Sequence, residues 1–321
     1  MTARLVLLVT SPRLPAGLLT AEAWDLVRAH PVLAAAETEL AAIVRASGGS
    51  VTIASGTDAL LAAAGPDGTA VWLAGPTGDE DFARELGLRL IREPGRAELE
   101  LMYGSWDPPG ARLLDAVTVM DRLMSPGGDP WKRQQTHATL AQFLLEECYE
   151  AYDAIEAGDL PALREELGDV LLQVVLHARI AEELPEDERW SVGDVAGDLV
   201  AKLIRRNPHV FAGAAVADVE EIIKNWERIK RAEKSRDSAM DGIALAQPAL
   251  SLAAKIMQRA ERAGVTVPPP AQPSTVDTEE ALGAALLATV SAARTGGLDA
   301  EAALRRAALS YADSVRAAEA G

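Results

Sequence analysis

The chain has 321 residues, 49% of them hydrophobic but only 4% aromatic, and a formal net charge of -17. That length allows two or three domains with packed cores, and abundant alanine and leucine with few aromatics favour helix over an all-β architecture. So acidic a chain argues against a nucleic acid polymer or an anionic membrane as partner, though not against a small anion approached through a divalent cation.

Residues 1–102 read as a small α/β domain. "RLVLLVT" (4–10), "VTIAS" (51–55) and "AVWLAG" (70–75) have the length and composition of strands, with "TAEAWDLVRA" (20–29) and "ETELAAIVRA" (37–46) as helices, giving a partly parallel sheet. The apolar start is too short for a membrane span or a signal peptide, and no later run reaches 18 apolar residues, so the expectation is no membrane and a cytoplasmic location. The domain has neither the Lys-Ser/Thr of a P-loop nor GxGxxG, and Gly75-Pro76-Thr77-Gly78 reads as a plain loop. "YGSWDPPGAR" (103–112), rich in proline and glycine, marks a boundary.

Beyond it the chain reads as helix nearly throughout. Amphipathic "LLDAVTVMDRLM" stops at "SPGGDPW"; helices follow over 135–157, 161–183, 192–206 and 218–236. "VPPPAQPS" (267–274) is a stiff linker, and a last helical segment spans 277–319. The fold class expected is mainly α, a central helical bundle preceded by the α/β domain.

The most informative stretch is "EECYEAYDAIEAGDLPALREELGDVLLQ" (146–173). Placed at about 100° per residue, Leu140, Leu144, Cys148, Ala151 and Ile155 make an apolar stripe bordered by Glu147 and Glu150. Cys148, the only cysteine, excludes an intramolecular disulfide, fits a reducing compartment, and reads as a small core residue. The next helix, "LGDVLLQVVLHA", is apolar nearly all round and reads as buried on several sides. Glu166, Asp169, Gln173 and His177 nevertheless share one sector about 80° wide, a polar seam that needs compensation. His177, at its end, reads as a satisfied core histidine. Gly158, Asp159 and Pro161 stop one helix and restart the next, making the two antiparallel neighbours.

The pairs Glu147/Glu150 and Glu166/Asp169, each i, i+3, can then face one another. Four carboxylates without basic partners repel and raise their pKa values; a hard divalent cation relieves this, and all-oxygen ligation suits Mg²⁺ or Mn²⁺. A plain solvated acidic face would serve for the first helix alone, but in the second the acids interrupt apolar surface.

These segments resemble the ExxE and ExxD motifs of the MazG-type nucleoside triphosphate pyrophosphohydrolases, an all-α family. "GGDPWKRQQTHATL", "KLIRRNPHVF" and "NWERIKRAEK" are similar to that family's segments in the family's order, so the resemblance covers about 113–241. It implies a catalytic helical domain there. The implied reaction is Mg²⁺-dependent hydrolysis of ribo- or deoxyribonucleoside triphosphates to monophosphate and pyrophosphate, with Mn²⁺ as a substitute. It also implies a homodimer and a role in clearing unwanted nucleotides. The metal set would be Glu147, Glu150, Glu166 and Asp169, with Glu146, Glu147 or Glu150 as the base that assists water.

On their own, Lys202, Arg205 and Arg206 merely complement a helix C-terminus; the resemblance makes them phosphate contacts. Trp226 belongs to an apolar stripe with Val219, Ile222, Ile223 and Ile229, while the resemblance places it, with Lys230, at the substrate. Trp131 and Lys132 follow a Gly-Pro loop, placed either to close over a nucleotide or to staple a helix start. A non-catalytic metal–nucleotide sensor is the alternative function. A di-iron bundle is discounted, since no histidine has a glutamate three residues before it.

"LGDVLLQVVLHAR" (167–179) recurs as "LGAALLATVSAAR" (282–294), with Ala281 and Ala284 where Glu166 and Asp169 stood. Residues 242–321 therefore resemble a degenerate second MazG-like repeat, without metal ligands and suited to packing or dimerisation. Residues 1–102 faintly resemble the tetrapyrrole-methylase-like domain fused to MazG in some bacteria. They lack its Gly-rich cofactor loop, so a vestigial or regulatory role is expected.

Overall fold

Continuous apolar runs near the start of the chain make a sheet buried on both faces. In the computed structural model, which describes residues 2–75, 78–216, 218–233, 238–265, 267–268 and 270–319, β1 (Ala3–Val9), β2 (Val32–Ala34), β3 (Val51–Ile53), β4 (Thr69–Leu73) and β5 (Ala97–Tyr103) line up in the order β3-β2-β4-β1-β5. Every pairing is parallel, not only part of them. The crossovers carry α1 (Ala21–Ala29), α2 (Glu39–Ala46), α3 (Thr57–Ala64) and α4 (Glu80–Arg92). Strands β2 and β5 escape a sequence reading for physical reasons: β2 has only three residues, and β5 alternates Glu98 and Glu100 with apolar residues at the sheet's edge. Residues 76 and 77 of the expected loop lie outside the described residues.

Interior strand β1 sends Val6 and Leu8 to one core with Val27 and Val71, and Leu5 and Leu7 to the other with Leu60 and Trp72. Burial on both faces is why it is apolar from Leu5 to Val9. Arg13, just after β1, donates to both oxygens of Asp115 at 2.8 and 2.9 Å and pairs with Asp107, tying this end of the sheet to α5 (Arg112–Met124).

Thr136 opens α6 (His137–Ala157) with a reciprocal cap to Thr139. Gly158 closes it at φ 68°, and Asp159 accepts the Ala162 N–H at 3.1 Å to start α7 (Leu160–Ala181). Met120 and Met124 of α5, Leu140 of α6, and Val175 and Leu176 of α7 form the core of these helices. Two expectations need correction here. Cys148 is exposed, because the buried line of α6 runs through Leu140, Ala151 and Ala154. Helix α7 is buried only in its second half: Leu167 is 53% exposed, since α5 covers the helix beyond it and not before.

Then come α8 (Val192–Arg206), α9 (Pro208–Phe211), α10 (Val219–Ala232), α11 (Ala249–Arg262), α12 (Glu279–Thr295) and α13 (Ala300–Glu319). The chain forms two compact units that divide between Leu199 and Val200, within α8. The helix expected over 218–236 is described only as far as α10, residues 234–237 lying outside the described residues. The expected last segment is two helices, parted at Gly296-Gly297, where Gly297 has φ 68°. Among the described residues no single helix is long and apolar enough to cross a membrane. Leu167 and Leu282 are both exposed, Val175 and Val290 both buried, and Arg179 and Arg294 each pair with a carboxylate, whereas Gln173, Leu176 and Ala178 are buried and their counterparts Ala288, Ser291 and Ala293 are only half-buried.

Candidate active site

The sharp turn at Gly158 brings α6 back along α7, and helical spacing does the rest. Glu147 falls in line with Leu140 and Ala151 and is half-buried; Glu166 and Asp169 are half-buried on α7, while Glu150 is exposed. One oxygen each of Glu147, Glu150 and Glu166 lies within 4.8 Å of the others. Asp169 is not part of that trio but stands close enough to act on Glu147. Burial first, then the charges of Asp169, Glu150 and Glu146, push the Glu147 carboxyl above its ordinary range. Glu166 is raised likewise, by desolvation and then by Glu150, with which it shares a hydrogen bond. Every charge acting on these two is another carboxylate. Such a cluster of oxygen-only donors fits a hard divalent cation. Glu146 is exposed and acts on Glu147 through its charge.

Further along the same face of α7, Gln173 is 4% exposed and its Oε1 is buried without a hydrogen-bond partner. His177 brings Nδ1 to 2.7 Å from Nδ1 of His137, with the rings stacked at 5.0 Å, and Trp190 lies over His137 at 6.2 Å. The Nε2 of His177 is buried and unpartnered, so this is not the fully satisfied core histidine the sequence suggested. Desolvation, then His137, lowers its pKa. The roles of His137 and Trp190 are invisible to spacing, because a contact 40 residues apart has no local signature.

Lys132 is held by Asp129 at 3.2 Å and lies 5.6 Å from the centre of the Trp131 ring, which itself meets Phe143 edge-on at 6.0 Å. Ser191 and Asp194 cap each other reciprocally and start α8. In the second unit Lys202 is exposed, while Arg205 and Arg206 both bind Glu233, at 2.8 Å from Arg205 and through two Arg206 nitrogens. Those bonds hold the Glu233 carboxyl down at about 2. Arg206 stacks 5.3 Å over the half-buried Trp226. Val219 and Ile223 are exposed, so the stripe around Trp226 is not the continuous core its periodicity suggested.

An antiparallel helix pair with two facing i, i+3 acid pairs defines a class, the α-helical proteins built around a carboxylate site. The model of the MazG nucleotide pyrophosphohydrolase domain matches residues 135–211. An uncharacterised 26.1 kDa protein of Streptomyces cacaoi is 48% identical over 70% of this chain and 91% of its own length. A nucleoside triphosphate pyrophosphohydrolase of Escherichia coli is 40% identical over 60% of this chain and 81% of its own. One from Mycolicibacterium smegmatis is 45% identical over 66% of this chain, which spans only 60% of that relative. The chain belongs to the MazG family.

Proposed function

We propose that this protein hydrolyses nucleoside triphosphates, ribo- or deoxyribo-, to monophosphate and pyrophosphate with Mg²⁺, or Mn²⁺ in its place. The observation that carries this is the carboxylate cluster on α6 and α7, in which one oxygen each of Glu147, Glu150 and Glu166 converge within 4.8 Å, and Glu147 and Glu166 are raised by burial and by neighbouring carboxylates. The likeness to relatives named nucleoside triphosphate pyrophosphohydrolases supplies the substrate class. Glu147, Glu150, Glu166 and Asp169 hold the cation. When bound, it supplies charge neutralisation on the phosphate oxygens and acidifies water. Glu146, Glu147 or Glu150 accepts a proton as water attacks the α-phosphorus; the new P–O bond forms, the α–β bridging bond breaks, and pyrophosphate leaves. Lys132, Lys202, Arg205, Arg206 and Lys230 meet the phosphate charge, and Trp226 offers a face to the substrate.

In this reading residues 113–241 are the catalytic domain, 242–321 a degenerate second repeat, and 1–102 a vestigial or regulatory domain resembling tetrapyrrole methylases. The protein works in the cytoplasm as a homodimer that clears unwanted nucleotides. Support for the dimer comes from the apolar residues Leu145, Tyr149, Leu167 and Val174, all exposed on α6 and α7; light scattering of the purified protein should give twice the chain mass.

The test is ³¹P NMR of a mixed nucleoside triphosphate pool with and without Mg²⁺. Metal-dependent appearance of monophosphate and pyrophosphate is the expected result. Diphosphate with orthophosphate would mean the wrong bond is cut, and binding without any product would make the protein a sensor.

A further inference from the structure

Helix α11 lies outside the segment matched to the MazG domain, residues 135–211. Its position against α10 follows from one ion pair and helical spacing. Glu227 of α10 binds Arg262 of α11 at 2.7 Å. Lys230 is three residues further along α10, about 4.5 Å along its axis; Arg259 is three residues back along α11, the same rise in the opposite sense. Arg259 and Lys255 are close enough to act on Lys230, so these residues lie on the sides of α10 and α11 that meet at the Glu227–Arg262 pair. Arg206 reaches the same place from α8: it lies over Trp226, four residues before Lys230 on one face of α10, and it too acts on Lys230.

Four cations therefore meet in the second unit, and Lys230, Lys255, Arg206 and Arg259 are each half-buried there. Among the described residues the carboxylates that face them are Glu227 and Glu233, which bind Arg262 and the Arg205–Arg206 pair respectively. Lys255 and Arg259 donate to neutral acceptors instead, Gln258 Oε1 at 3.1 Å and the Ala239 carbonyl at 3.4 Å. Desolvation, and then repulsion by Lys255, Arg259 and Arg206, lowers the Lys230 ammonium despite the opposing pull of Glu227. Like charges gathered out of full solvent contact are costly until an anion of high charge density joins them.

We infer that Lys255 and Arg259 of α11 complete, with Lys230 and Arg206, a binding surface for a polyphosphate chain. The choice of ligand rests on the function proposed above; the convergence of the cations does not. Arginine contributes paired donors and lysine a point charge, the combination that suits successive phosphate groups.

The experiment is calorimetric titration of the full chain with inorganic tripolyphosphate in buffer free of divalent ions, where the acidic cluster can only repel the ligand. The wild type should bind, and the K255A/R259A double variant should bind at least ~10-fold more weakly, the effect of losing charge-assisted hydrogen bonds. The charge-conserving K255R/R259K variant should restore most of the affinity. Gln258→Glu, which sets a carboxylate beside Lys255 and removes no cation, should weaken binding too, and so guards against a double variant that fails to fold. Failure of the wild type to bind, or equal affinity in K255A/R259A and Q258E, would overturn the inference. If nucleoside triphosphate is hydrolysed while these variants keep wild-type affinity for tripolyphosphate, only the inference falls. If tripolyphosphate binding depends on Lys255 and Arg259 but no pyrophosphate is ever released, only the enzymatic reading falls.

Discussion

Glu166 and Asp169 sit one helical turn apart on α7, and each has a different local duty: Glu166 shares a hydrogen bond with Glu150, and Asp169 acts on Glu147. Glu166→Ala or Asp169→Ala should lower turnover at least as much as the ~100-fold typical of losing an outer-shell metal partner, with helix content by circular dichroism unchanged. Retained turnover would remove both from the site. Glu147 gives a second expectation, on stability. Its pKa is raised in the folded chain, so the folded state holds the proton more tightly than the unfolded one. The metal-free protein then loses stability as pH rises from the ordinary carboxylate range through the raised pKa. Glu147→Gln, which carries no charge at any pH, should raise the melting temperature of the EDTA-treated protein at neutral pH and flatten that fall. Mg²⁺ should narrow the gap between variant and wild type, and equal melting curves in EDTA would refute the electrostatic account. These acids were legible in the sequence because i, i+3 spacing on an apolar helix is a local pattern. Glu233 was not, since its hold on Arg205 and Arg206 joins residues 28 and 27 apart across two helices.

At the scale of elements, the α6–α7 hairpin was readable from Gly158, Asp159 and Pro161 alone, each with a backbone duty that few other residues perform. Gly158→Ala forces a side chain into left-handed geometry and should cost about 1–2 kcal/mol in chemical denaturation. A larger loss is expected where the hairpin meets α5. Leu176 is 1% exposed against Met120 and Met124, and Leu176→Ala should cost about 2–5 kcal/mol. A loss well under 1 kcal/mol would mean this core is not shared among the three helices. Periodicity was less reliable wherever exposure depended on which neighbour a helix finds. Cys148 and Leu167 look like core residues in sequence, but among the described residues no helix covers them; α11 carried no motif, and its cations gain meaning only from the α10 residues nearby.

For the whole molecule, composition set the proportions, a mainly helical chain with a small sheet, but not the strand order. That order has a consequence for how the chain comes into being. Strand β1 is made first and ends up inside the sheet, between β4, from Thr69, and the edge strand β5, from Ala97. Pairing Ala3 with Ala97 means closing a loop over nearly the whole domain, the kind of contact that forms slowly, whereas α6 and α7 are joined by Gly158 and Asp159 alone. Pulse-labelled hydrogen exchange during refolding should find amides of α6 and α7 protected before those of β1; the reverse order would show that the sheet collapses first. On a ribosome the same geometry makes β1 wait. Until Tyr103 has emerged, its five most apolar residues, Leu5 to Val9, have no completed sheet to enter, and that interval is when a nascent chain most needs a holding chaperone.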